Sequence, residues 1–164
     1  MKGEYTDMIL VTVGSQKFQF DRLLKKIDEL IDDNVIDEPV FAQIGACVYK
    51  PRNFDYVDYM TQDEFNKKIK ESSLVITHAG TGVIINAIMM KKKVIAIPRL
   101  KKYNEHVDNH QLQIVKKFDR LKFIEPCYKT EDLETAYRNV YLKNYKEYIS
   151  NSDRIIKSIE SYIG

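Results

Sequence analysis

Short apolar runs alternate with stretches whose apolar residues recur every three or four positions, and the alternation carries through most of the 164-residue chain. Residues 8–13 are apolar and β-branched and predict a buried strand. Leu23, Leu24, Ile27, Leu30 and Ile31 then fall at helical spacing and predict a helix over 21–33. Strands follow at 40–44 and, more weakly because of Asp55, at 54–57. Thr61 and Glu64 have the spacing of a capping box and start a helix through Ser72. A strand at 74–76, a helix over 83–90, a strand at 94–98 and a helix over about 108–118 come next. A short strand at 121–124 and a helix capped by Thr130 continue the series. Regular alternation of this kind predicts one α/β domain, a Rossmann-like parallel sheet with helices on both faces.

The end of the chain has a different rhythm. Leu142, Ile149, Ile156 and Ile163 recur every seven residues, with Tyr145, Ser152 and Ile159 between them. This predicts a helix of about 143–163 with one apolar stripe, packed either on the domain's own sheet or on another chain.

Composition narrows the class. The chain is 44% hydrophobic and 30% charged, with a net charge of +2, so its balance alone does not point to nucleic acid. No apolar run has the roughly 20 residues of a membrane span, and residues 1–7 do not read as a signal peptide. Cys47 and Cys127 lack metal-ligand spacing and read as reduced thiols in a cytoplasmic protein. The basic runs Lys91-Lys92-Lys93, Arg99-Leu100-Lys101-Lys102 and Lys116-Lys117 are solvated helix ends or a rim attracting an anionic donor or membrane.

The candidate chemistry lies at strand ends. Thr77-His78-Ala79-Gly80-Thr81-Gly82 links a strand to a helix through a glycine-spaced turn, which lets backbone approach a ligand and offers free N–H groups to a phosphate. Gly14, Ser15 and Gln16 form a second turn after the first strand. His106, Asp108, Asn109, His110 and Gln111 place hydrogen-bonding side chains after a later strand. Open α/β sheets bind ligands at such ends, so the three segments predict a site for a phosphate attached to something rich in hydroxyls. Dinucleotide binding is disfavoured, because Ile85 stands where a third glycine belongs and the motif follows a middle strand. The Gly14 turn lacks P-loop spacing, and no D-x-D pair supplies an acidic metal clamp.

These segments, with Pro98 ending a strand, resemble the C-terminal domain of family 28 glycosyltransferases, the donor-binding half of a GT-B enzyme. The resemblance is closest to the stand-alone cytosolic subunits of two-part transferases. Their eukaryotic form adds a second GlcNAc to a dolichol-linked sugar, and bacterial relatives serve capsule and exopolysaccharide synthesis. The resemblance implies that Gly14, Ser15, Gln16, His78, Ala79, Gly80, Thr81 and Gly82 hold the diphosphate of a UDP-sugar. It implies that Asp108 and Gln111, beside Asn109 and His110, bind donor-sugar hydroxyls, and that residues 56–60 meet the uracil. Asn86 stands where the family usually carries a ribose-gripping glutamate, and lacks that group's charge-assisted strength.

The function this implies is an inverting transfer from a UDP-sugar to a lipid-linked sugar acceptor, with no metal and no cofactor. The acceptor groove and base would come from a membrane-associated partner subunit, leaving this chain cytoplasmic and peripheral to the membrane. His78 is a weak candidate for the base by residue type. A non-catalytic UDP-sugar-binding or enhancer module is the alternative, and an epimerase related by fold only is a weaker one.

Overall fold

The computed structural model describes residues 8–147. Among the described residues, six parallel strands make one sheet in the order β3-β2-β1-β4-β5-β6. The strands are β1 (Met8–Thr12), β2 (Val40–Gln43), β3 (Asp55–Val57), β4 (Ser72–His78), β5 (Lys93–Ile97) and β6 (Glu125–Pro126). The helices are α1 (Asp21–Asp32), α2 (Gln62–Glu71), α3 (Thr81–Met89), α4 (His110–Arg120) and α5 (Leu133–Leu142).

The two-residue period of the strands divides the core into two layers. Ile9 and Val11 of β1 and Leu74 and Ile76 of β4 face α1 and α5. Leu10 and Val75 point the other way, toward Phe65 and Ile69 of α2, Ile84 and Ile88 of α3, and Val115 and Phe118 of α4. The sheet is therefore covered on both sides, as the near-continuous apolar strands require. Its strand order reverses between β1 and β4, and the crevice at their carboxyl ends is where such folds bind ligands.

The capping box forms as expected. The Thr61 hydroxyl accepts from the Glu64 amide at 3.1 Å, and the Glu64 carboxylate accepts from the Thr61 amide at 2.9 Å. Three expectations are corrected. Residues 121–124 are the turn that ends α4, with Lys122 at φ 64° and the Phe123 amide bonded to the Phe118 carbonyl at 3.2 Å. Phe123 and Ile124 are buried from that turn, and pairing with β5 begins only at Glu125. Thr130 sits buried in a 3-10 turn, Thr130–Asp132, and its hydroxyl accepts from Arg22 at 3.4 Å instead of capping α5. The predicted C-terminal helix does not begin at about 143, because α5 stops at Leu142 and Lys143 is extended. Tyr145 turns back onto the sheet edge, its hydroxyl donating to Glu125 at 2.7 Å. The rest of that predicted helix lies outside the described residues.

Candidate donor-binding site

A cleft of about 540 Å³ opens at the carboxyl ends of β1 and β4. One wall is the turn after β1. Gly14 has φ 83°, a left-handed conformation that favours glycine, and its amide donates to the Thr12 hydroxyl at 3.2 Å. Its carbonyl accepts from Gln43 of β2 at 3.4 Å. The opposite wall is the turn into α3. Gly80 is the N-cap there, with no side chain to cap the helix, and the first turn carries no acidic residue. The first amides of α3 have no partner within the helix, so a concentrated positive end faces the cleft. Among its described lining residues there is no carboxylate, and the polar groups are Thr, Ser, Gln and His side chains with backbone amides. Such a lining suits an anion.

His78 ends β4 and is wedged between the two turns. A Cβ added at Gly14 would lie 2.6 Å from His78 Nε2, and one at Gly80 would lie 2.4 Å from Cε1. Both positions must be glycine for the imidazole to fit. Burial first, then the Arg99 guanidinium and the neighbouring His106, lower the His78 pKa to about 3, so the ring is neutral at ordinary pH. Its Nε2 has no hydrogen-bond partner among the described residues.

Gln111, on the first turn of α4, joins the ends of β4 and β5. Its carbonyl oxygen accepts from the Arg99 amide at 3.0 Å and the Ala79 amide at 3.4 Å, and its nitrogen lies 3.3 Å from His78 Nδ1. Arg99 is itself fully buried. Its guanidinium donates to the carbonyls of Val13 and Phe18, the residues flanking the segment 14–17, and so clamps that turn from below. Burial lowers the Arg99 pKa to about 10, which leaves it charged at neutral pH. Glu105 accepts from two of the three Arg22 guanidinium nitrogens, each at 2.9 Å, and from the Leu100 amide at 3.0 Å, fixing the loop after β5.

Residues 8–162 match the family described as the glycosyltransferase family 28 C-terminal domain. The chain belongs to that family. The UDP-N-acetylglucosamine transferase subunit ALG13 of Candida albicans is 30% identical over 109 residues, 66% of this chain and 31% of that protein. The subunit of the same name from Saccharomyces cerevisiae is 40% identical over 60 residues, 37% of this chain and 28% of that protein. The chain thus spans about a third of the length of the curated relatives it matches. The NMR solution structure of ALG13 aligns over 95% of this chain and 97% of its own, with a TM-score of 0.59 and 18% identity. The crystal structure of Acinetobacter baumannii MurG aligns over 83% of this chain and 41% of its own, with a TM-score of 0.56 and 16% identity. At these identities the structural likeness speaks to the fold, a Rossmann-like sheet equivalent to the C-terminal half of a GT-B glycosyltransferase.

The family 28 domain brings most of the sequence-derived residues together. Gly14, Ser15, Gln16, His78, Ala79, Gly80, Thr81, Gly82, His110 and Gln111 all line the cleft, and so does Met60 from the segment 56–60. Three others are not in the lining. Asn86 donates its amide to Asn66 of α2 at 2.9 Å. Asp108 accepts from the His110 amide at 2.9 Å, and Asn109 accepts from the Lys101 amide at 2.9 Å, so both side chains shape the approach to α4. Two residues of the basic runs lie away from any rim of the cleft. Arg99 is buried, and Lys93 begins β5 at the end of the sheet opposite the cleft. Thr12, Gln43 and Phe65 line the cleft without having been singled out. Gln43 had a signal, as the polar residue closing an otherwise apolar strand. Cys47 and Cys127 are free and buried, and burial pushes their thiols up to about 11 and about 12.

Proposed function

We propose that this domain is the donor-binding half of an inverting, metal-independent glycosyltransferase that uses a UDP-sugar. The observation that carries the reading is the uncapped start of α3 facing the Gly14 turn across a cleft whose described lining holds no carboxylate. Free helix amides, a neutral imidazole and two glycine turns suit a diphosphate, whose negative charge a carboxylate would repel. The same donors would stabilise the UDP leaving group as its charge grows during transfer, the step at which electrostatic help counts most. They do so without hard oxygen ligands for a divalent cation.

The sugar hydroxyls would meet Ser15, Gln16 and His110, whose side chains have no internal hydrogen bond described above. His78 is a poor base, since its low pKa and enclosed ring keep it from collecting a proton from an acceptor hydroxyl. The base and the acceptor groove therefore belong, in this reading, to a membrane-associated partner subunit that presents a lipid-linked sugar at the cytoplasmic face. The named relatives are transferase subunits for UDP-N-acetylglucosamine, which makes that nucleotide sugar the first donor to test. The alternative, a non-catalytic UDP-sugar module that enhances a partner, shares the cleft and differs only in where transfer occurs.

Calorimetry of the chain with UDP in EDTA tests the core of this reading. Binding without metal is expected, and a strict requirement for a divalent cation would remove the diphosphate from the α3 amides.

A further inference from the structure

We propose that Gln111 is a positioning residue, holding the His78 ring as the Nε2–H tautomer so that this N–H is the donor offered to a ligand oxygen between the glycine turns. The identity of the ligand rests on the donor-site reading above; the tautomer does not.

The assignment follows from donors whose roles cannot change. The amides of Arg99 and Ala79 can only donate, and both point at one oxygen of the Gln111 side chain, at 3.0 and 3.4 Å. That oxygen is the carbonyl, so the group 3.3 Å from His78 Nδ1 is the NH2. An NH2 beside Nδ1 makes Nδ1 an acceptor, and a neutral imidazole must then carry its proton on Nε2. Protonating both nitrogens would set an N–H against the NH2 and add a charge beside Arg99 and His106, the ionisable groups that act on the ring. Burial opposes that charge as well.

The remaining N–H has no acceptor among the described residues, although His78 is only 8% exposed. A buried donor without a partner is costly, and native proteins rarely keep one without a reason. Here the same ring edge is flanked by Gly14 and Gly80, where any Cβ would collide with it. Two glycines, one buried amide and one backbone pair are arranged to present a single N–H at the switch point of the sheet. With the other tautomer a lone pair would face the ligand, and an anionic oxygen would be repelled.

Nitrogen-15 spectra of the histidine rings in the full chain read the tautomer directly, with His106→Gln and His110→Gln variants to assign His78. The expected result is an Nε2–H ring that stays neutral from about pH 8 to about pH 5, and whose Nε2 resonance moves when UDP is added. Gln111→Glu keeps an oxygen for the Arg99 and Ala79 amides but cannot donate to Nδ1. In that variant the proton should move to Nδ1 at about pH 8, with a second proton joining the ring at lower pH. UDP affinity at about pH 8 should fall roughly tenfold or more, and recover at lower pH as the second proton arrives. An Nδ1–H ring in the parent chain, or an unchanged neutral Nε2–H ring in Gln111→Glu, overturns the proposal. If the variant does not fold, the parent spectrum alone still decides. An Nε2–H ring in a chain that does not bind UDP overturns the donor-site reading and leaves the role of Gln111 in place.

Discussion

The helices α2 and α3 lie on the same face of the sheet and begin in opposite ways. At α2, Thr61 and Glu64 exchange hydrogen bonds with each other's amides, and Asp63 and Glu64 put negative charge beside the helix's positive end. At α3 the cap is Gly80, there is no side-chain hydrogen bond to the first amides, and the first turn is Thr81-Gly82-Val83 with no acid. Local chemistry that satisfies one helix end was available to the other, where a serine, threonine or aspartate cap is worth about 1 kcal/mol. The uncapped end lines the β1/β4 crevice with its whole first turn, Thr81, Gly82 and Val83. A helix start that forgoes its own cap at a topological switch point leaves amides of the kind that suit an anion.

Closing the α3 end artificially should have the largest effect. A Cβ at Gly82 would meet nothing within 4 Å, so Gly82→Asp fits the fold. Its carboxylate would sit in the first turn, where it stabilises a helix by about 0.3–1 kcal/mol. The melting temperature should hold or rise. UDP affinity should fall by about 100-fold or more, because the carboxylate repels the phosphates from a few ångströms away. Calorimetry and a thermal melt of the same preparation check both halves. Near-normal UDP binding in a stable variant would separate the α3 end from the diphosphate.

The ring beside that helix start gives the second effect. His78 has its pKa lowered to about 3, by burial first and then by Arg99 and His106. In the unfolded chain the same group takes a proton near 6.5, so between these values the unfolded state binds more protons. Stability is therefore fully present above about 6.5 and is lost as pH falls toward about 3. The loss from this group between pH 7 and pH 5 should be about 2 kcal/mol. Urea titrations at the two pH values measure it, and the same slope in His78→Asn would assign the loss to other groups.

The sequence carries these two helix starts unequally well. The capping box is a local signal, two residues three apart, and it reads directly from Thr61 and Glu64. The glycine turns at Gly14 and Gly80 read almost as well, because strand-end geometry places them at the crevice before any contact is known. What does not read is any role set by a distant partner. Gln111 looks like a sugar ligand until the Arg99 and Ala79 amides are seen to share its oxygen. Asn86 sits one helical turn from Gly82 and was expected at the ribose, yet α2 supplies Asn66 for its amide. Buried charge is equally hidden, since pattern reading puts charges outside. Asp28 interrupts nothing in the α1 pattern, yet it is buried and receives Tyr49 at 2.5 Å, the Arg52 amide at 2.9 Å and the Asn53 amide at 3.0 Å. The turn at 121–124 misleads for a related reason: a helix end that dips Phe123 into the core shows the same run of apolar residues as a short strand.

Removing the cap from α2 should have the smallest effect and should complete the contrast. Thr61→Ala deletes the hydroxyl that accepts from the Glu64 amide at 3.1 Å, and Thr61 is exposed, so water replaces part of what is lost. The Thr61 amide keeps its bond to the Glu64 carboxylate, because that bond uses the backbone. Stability should fall by about 1 kcal/mol, toward the low end for exposed caps. Thr61 is not in the cleft lining, although Met60 and Gln62 on either side of it are. UDP affinity should therefore stay within about twofold, less than 0.5 kcal/mol. Denaturant titration and calorimetry on the one variant give both numbers. A large loss of UDP binding would mean that the start of α2 also takes part in the site, and that the difference between the two helix starts is one of degree.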